Sequence, residues 1–166
     1  MIEVAERVFV GSLDDLENFL FLEDKEDFYI LYCMKNPSHK EMVGYEGKSC
    51  DKDHPEYLVA RRGREMTLNM VDAPRPEFFS QEMITAGLDF LEEGYLSDKK
   101  VVILCNKGQS RSCGMALLFL ATRLKMLPKE FIYAEQEFKK LYPDCEFGKG
   151  IYQYMVQNWE WHRDNK

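Results

Sequence analysis

With 166 residues, 45% of them hydrophobic and 13% aromatic, the chain is long enough to bury a real core and too apolar to be disordered. A formal net charge of −7 argues against nonspecific nucleic-acid binding, so an anionic substrate has to be drawn in by a local positive field. The five cysteines, Cys33, Cys50, Cys105, Cys113 and Cys145, are odd in number and contain no CxxC pair, which fits free thiols in a reducing compartment.

In chain order, Val8, Phe9 and Val10 run into Gly11 and predict a short first strand. Ser12 is placed to cap a helix over Leu13–Leu22, whose Asp14 and Asp15 suit the positive end and whose Leu13, Leu16, Phe19 and Leu20 share a face. FYILY, Phe28–Tyr32, reads as a buried strand. Residues 34–64 are the least orderly stretch, broken by Asn36-Pro37, Gly44, Gly47, His54-Pro55 and Gly63, and an irregular excursion is expected there. Around Tyr57–Ala60 a strand and a helical turn fit equally well. Arg61, Arg62 and Arg64 either belong to a solvated loop or lean over a pocket and select an anion.

Met66–Val71 alternates as a strand and ends at Asp72, before a loop stiffened by Pro74 and Pro76. A long helix is predicted from Glu77 to near Gly94, with Phe78, Met83, Leu88 and Leu91 among its apolar positions. Val101–Leu104 is a continuous apolar run, the mark of a strand buried on both faces. A helix-like run follows over Met115–Leu124, another helix over Lys129–Leu141 after Pro128, and a last one over Gly150–Trp161. No apolar run approaches the ~18–20 residues of a membrane span. The N-terminal MIEVAERVFVG lacks the long apolar region of a secretory signal, and a cytoplasmic protein is expected.

The chemistry concentrates in VVILCNKGQSRS, Val101–Ser112. A strand, a tight loop around Gly108 and a helix start build an anion cradle, because successive N–H groups turn inward and the helix dipole adds partial positive charge. Cys105 opens this loop and Arg111 closes it. A thiolate can attack phosphorus, and a guanidinium can hold two phosphate oxygens in a planar fork. An arginine in the first turn of a helix opposes the dipole, which itself suggests an anion between them.

Cys-x5-Arg followed by Ser at a strand–helix junction resembles the phosphate-binding loop of the protein tyrosine phosphatase superfamily. CNKGQSRS is most similar to the dual-specificity branch, whose loop commonly reads His-Cys-x-x-Gly-x-Ser-Arg-Ser. One position departs: Leu104 stands where that family has a histidine that helps order the loop and tune the thiol. The opening strand–helix–strand and the tail LYPDCEFGKGIYQYMVQNWEW are also similar, so the resemblance covers most of the chain, with 34–64 the part it explains worst. It implies a single α/β domain over 1–166, a central, mostly parallel, twisted sheet of four to five strands flanked by helices, and two helices packed under the loop.

The resemblance also implies a metal-independent, cofactor-free phosphatase acting on phosphotyrosine, phosphoserine or phosphothreonine in proteins through a phosphocysteine. Cys105 is then the nucleophile. Asn106, Lys107, Gly108, Gln109 and Ser110 present backbone N–H groups, with Arg111 gripping the phosphoryl oxygens. Ser112 donates to the sulfur, and Asp72 is the general acid, with Glu77 a distant second. Cys33 or Cys113 would be either a buried small residue or a redox partner of Cys105. His39, His54 and His162 have no ligand spacing with the cysteines, so no metal is expected. Alternative substrates are an RNA 5′-phosphate, a phosphoinositide or another small phosphate ester, and a low-turnover phosphate-binding adaptor is the reading from another class.

Overall fold

Apolar runs such as Val101–Leu104 and Phe28–Tyr32 can bury both faces only if helices cover a sheet from both sides. The computed structural model, which describes residues 1–22 and 24–165, shows this arrangement. The strands are β1 (Ile2–Ala5), β2 (Val8–Ser12), β3 (Phe28–Cys33), β4 (Val59–Arg62), β5 (Glu65–Leu68) and β6 (Lys100–Cys105). They form one six-stranded sheet in the order β1-β2-β6-β3-β5-β4. The four middle strands run parallel, and the antiparallel edges β1 and β4 extend the four to five strands expected. Both edge strands are four residues long and polar in part, so neither shows the run or alternation that marks an inner strand.

The two faces carry unequal cover. Val101, Ile103 and Cys105 of β6, with Leu31 and Cys33 of β3, enter the large core. That core is closed by helices α3 (Gln81–Leu96), α4 (Arg111–Leu118), α5 (Phe131–Leu141) and α6 (Lys149–Asp164). Val102, Leu104, Phe28 and Ile30 face the other way, into a small cluster beneath α1 (Leu13–Leu22). Residues 34–64 resolve into a distorted turn at Lys35–His39, a one-turn helix α2 (Lys40–Val43), an irregular loop and β4. The strand reading of Tyr57–Ala60 holds from Val59 onward.

The helix expected from Glu77 begins at Gln81. Pro76–Phe78 makes only one tight turn, Phe79 is extended, and the Ser80 side chain accepts from the Met83 N–H at 3.1 Å, a better cap than the proline-bound stretch offers. Nor does this helix end at Gly94, which lies inside it because the Tyr29 ring fills the space a side chain would need: a β-carbon there would meet Tyr29 Cγ at 2.6 Å. Gly94→Ala is therefore expected to lower stability by about 1–3 kcal/mol through overpacking, despite alanine's better helix propensity. A urea midpoint equal to or above that of the parent would show that Tyr29 has room to move. Helix α5 starts at Phe131 rather than Lys129, since the Lys129 carbonyl is taken by Trp159 Nε1 at 2.7 Å.

The sheet register also disposes of the idea that Arg61, Arg62 and Arg64 overhang the loop at Cys105. Arg62 pairs with Glu65, Glu65 with Ile30 and Ile30 with Val102, so Arg62 sits roughly 10 Å short of Cys105 along the strand direction, Arg61 one residue nearer, and all three arginines lie toward the far edge. Arg61 holds both carboxylate oxygens of Glu93 at 2.7 and 2.8 Å, and Arg62 holds Glu56 at 2.6 and 3.0 Å. Arg64 bonds the Glu26 carbonyl. They brace the exposed edge of the sheet, where charge also discourages strand addition.

Candidate active site

The loop after β6 opens at the C-terminal ends of the parallel strands, where open α/β sheets present their crevices. A cavity of about 560 Å³ lies there, with Cys105, Asn106, Lys107, Gln109, Ser110 and Arg111 on one side and Asp72, Glu146, Phe147 and Gly148 on the other. Gly108 has φ of 69°, the left-handed conformation that glycine adopts without cost, and a β-carbon there would lie 2.7 Å from the Gly11 carbonyl carbon. That conformation turns the Gly108 N–H onto Cys105 Sγ at 3.2 Å.

Cys105 is 2% exposed and sits 3.1 Å from the Ser112 hydroxyl. Burial alone would raise its pKa. The Ser112 hydroxyl and N–H, the Arg111 charge and the Ser110 N–H together outweigh that and hold the thiol below the ordinary cysteine value. Arg111 is 9% exposed. Its Nη1 donates to the Met70 carbonyl at 3.1 Å and its Nη2 to Asn106 Oδ1 at 2.8 Å, while Nε is buried without an acceptor. Among the described residues no carboxylate pairs with it, so a buried guanidinium and an orphaned donor stand beside a sulfur primed to ionise.

The loop is fastened from several directions. Asn106 Nδ2 donates to the Asn36 carbonyl at 2.9 Å, Ser110 Oγ accepts the Gly148 N–H at 2.8 Å, and the Gln109 carbonyl accepts the Glu146 N–H at 2.8 Å. The Gly108 carbonyl accepts the Tyr142 hydroxyl at 2.6 Å and the Cys113 thiol at 3.4 Å. Leu104 supplies none of this, because its side chain points into the cluster under α1. The loop is held instead by Tyr142, Asn36 and the 146–148 segment.

Asp72 lines the same cavity, exposed, with a carboxylate oxygen 2.9 Å from where a β-carbon of Gly148 would stand. Gly148 thus leaves room for that carboxylate. Glu77 lines a separate cavity beside Lys35 and Asn69 and is not brought to Cys105. Cys33 is fully buried on the strand next to Cys105, and burial raises its thiol well above the ordinary range. Among the described residues no group of three or more His, Cys, Asp or Glu could hold a metal ion, and no helix is long and apolar enough to cross a membrane.

Glu146, Phe147 and Gly148 were not foreseen from the sequence. Nothing local marks them, since their place is set by how α6 docks. The side chain that Gly114 lacks leaves space for Ile151 of α6, 2.7 Å from where its β-carbon would be.

No protein-family model and no curated protein sequence matches the chain. Solved structures do. Human DUSP28 is 14% identical, with all of both chains covered and a TM-score of 0.68. DUSP15 is 14% identical over 99% of this chain and 90% of its own, with a TM-score of 0.68. The human tyrosine phosphatase-like serine/threonine/tyrosine-interacting protein is 14% identical over 95% of this chain and 93% of its own, at 0.66. At this identity the likeness is one of fold, and the chain has the fold of these dual-specificity phosphatase structures.

Proposed function

We propose that the chain is a cysteine-dependent phosphatase that hydrolyses phosphate monoesters, with phosphotyrosine and phosphoserine or phosphothreonine in proteins as the substrate class. One observation carries this reading: a buried, carboxylate-free guanidinium with an unsatisfied N–H, in the same loop as a thiol held below its usual pKa. A buried cation without a counter-ion is costly, and the energy is recovered when a dianion binds. Arg61, Arg62 and Arg64 are absent from the cavity lining and held by other partners, which leaves Lys107 alone of the four basic residues that favoured an RNA or phosphoinositide substrate.

In the first step the Cys105 thiolate attacks phosphorus, the P–O bond to the leaving alcohol or phenol breaks, and Asp72 gives its proton to the departing oxygen. Backbone N–H groups of 106–110 and the Arg111 fork hold the equatorial oxygens as charge spreads over them. In the second step Asp72 takes a proton from water, the water oxygen attacks phosphorus, and the sulfur leaves as a thiolate steadied by the Ser112 hydroxyl. Inorganic phosphate departs. No cofactor takes part in these steps.

The test is hydrolysis of para-nitrophenyl phosphate and of phosphotyrosyl and phosphothreonyl peptides in excess chelator, with intact-mass detection of a phosphate adduct after acid quench. An adduct on a peptide containing Cys105 supports the mechanism; turnover that survives vanadate counts against it. Asp72→Asn is expected to lower kcat by about 10²-fold on alkyl phosphates and much less on para-nitrophenyl phosphate, whose leaving group needs no proton. Equal losses on both substrates would remove Asp72 from the acid role.

A further inference from the structure

The sheet face beneath α1 is only partly covered, and between α1 and α2 it leaves a cavity of about 660 Å³, distinct from the one at Cys105. Its floor is Tyr32, Glu65 and Thr67, and its walls include Leu13, Leu16, Pro37 and Met42. Four carboxylates surround it: Asp14 and Glu17 from α1, Glu41 from α2, and Glu65, which accepts the Tyr32 hydroxyl at 2.9 Å. Among the described residues Arg62 is the one cation in the lining, and Glu56 already holds it from outside the cavity. Asp14, Glu17 and Glu41 have no cationic partner among the described residues.

Two further observations point to a ligand rather than to a solvated acidic face. Ser38 lines the cavity at 9% exposure, and its hydroxyl meets no partner among the described residues. On the floor, the buried Thr67 hydroxyl reaches only the Met42 sulfur, at 3.7 Å. The Ser38 hydroxyl thus stands open at the cavity wall, and Thr67 has only a weak acceptor. The Ser38 wall is held in place, because Asn106 Nδ2 grips the adjoining Asn36 carbonyl, so little ordering cost remains for a ligand to meet. Along α1, Leu13 and Glu17 of the lining are spaced four apart from each other and from Phe21, which is 89% exposed.

We infer that this cavity is a docking site for a short basic segment of a protein partner, in which lysine or arginine alternates with aliphatic residues. Cationic side chains meet Glu17, Glu41 and Asp14, and aliphatic ones cover Leu13, Leu16 and Met42. The Ser38 hydroxyl serves a backbone group of the segment. The charge of the lining excludes an acidic peptide or a phosphate, so the site is complementary to, and separate from, the anion cradle.

A fluorescein-labelled peptide, Lys-Leu-Arg-Leu-Lys, titrated against the full chain at low and moderate salt tests this by anisotropy. Saturable binding is expected, weakened by salt and undisturbed by vanadate filling the Cys105 loop. Reversing two exposed charges, Glu17→Lys with Glu41→Lys, should weaken it about tenfold while leaving para-nitrophenyl phosphate turnover unchanged, which also shows that the variant folds. The analogue Lys-Ser-Arg-Ser-Lys should bind more weakly than the parent peptide. Absent saturation, equal affinity for the serine analogue, indifference to the double reversal, or displacement by vanadate would each overturn the assignment. Peptide binding without any phosphatase turnover would leave this site standing and remove only the function proposed for the other.

Discussion

Replacing Cys105 by serine is expected to reduce phosphate ester hydrolysis by about 10⁴-fold or more, with the fold and phosphate binding retained. The two side chains have nearly the same shape, so the Gly108 N–H and the Ser112 hydroxyl still find an acceptor at that point. What is lost is ionisation. The donors around Cys105 and the Arg111 charge hold a thiol below the ordinary cysteine value, but a hydroxyl starts too high for the same donors to deprotonate it.

The pH dependence follows from the same balance. With the thiol held below its usual value of about 8.5, kcat/KM should rise with pH through an acid limb lying below that value. A limb at or above the free-cysteine range would mean that burial wins over the donors. Retention of even a few per cent of turnover in Cys105→Ser would remove the phosphocysteine from the mechanism.

Arg111→Lys is expected to lower kcat/KM by about 10³-fold although the charge is kept. A lysine reaches phosphate as a point charge. It cannot hold two equatorial oxygens while also donating to the Met70 carbonyl and Asn106 Oδ1, the contacts that aim the guanidinium in this loop. Both parameters should suffer, KM because the ground-state dianion loses its fork and kcat because the fork follows the oxygens into the transition state.

Binding gives a second readout, since any ligand that prefers the native state raises the melting temperature. Inorganic phosphate should stabilise the parent and Cys105→Ser but have little effect on Arg111→Lys. Arg111→Met, which removes a buried and unpaired charge, should melt no lower than the parent in phosphate-free buffer. A large drop there would show that Arg111 serves the fold and not an anion.

Ser112, Gly108 and Arg111 were legible because the loop they belong to is local. Its donors come from consecutive residues, so the spacing in the chain already carries the geometry of the loop. The inner strands were legible for a related reason: burial on both faces demands an unbroken apolar run, as in Val101–Leu104 and Phe28–Tyr32. The edge β1 was not, and β4 was only one of two readings around Tyr57–Ala60, because a four-residue strand with one exposed side owes its existence to the neighbour it pairs with.

Arg61, Arg62 and Arg64 show the limit most clearly. Their composition suited an anion site, but whether a charge faces a pocket depends on which end and which edge of the sheet its strand occupies, and that is set by pairing with β5 and β3. The strand–loop–helix with the thiol and guanidinium at its two ends was determined by the amino-acid sequence alone, since every atom of it comes from one short segment. That Asp72 shares a cavity with Cys105 while Glu77 does not, that Tyr142, Asn36 and Gly148 hold the loop where Leu104 cannot, and that a second, acid-lined cavity opens between α1 and α2 were decided only by tertiary packing. Such contacts join residues far apart in the chain, and no local periodicity or propensity encodes which of them will meet.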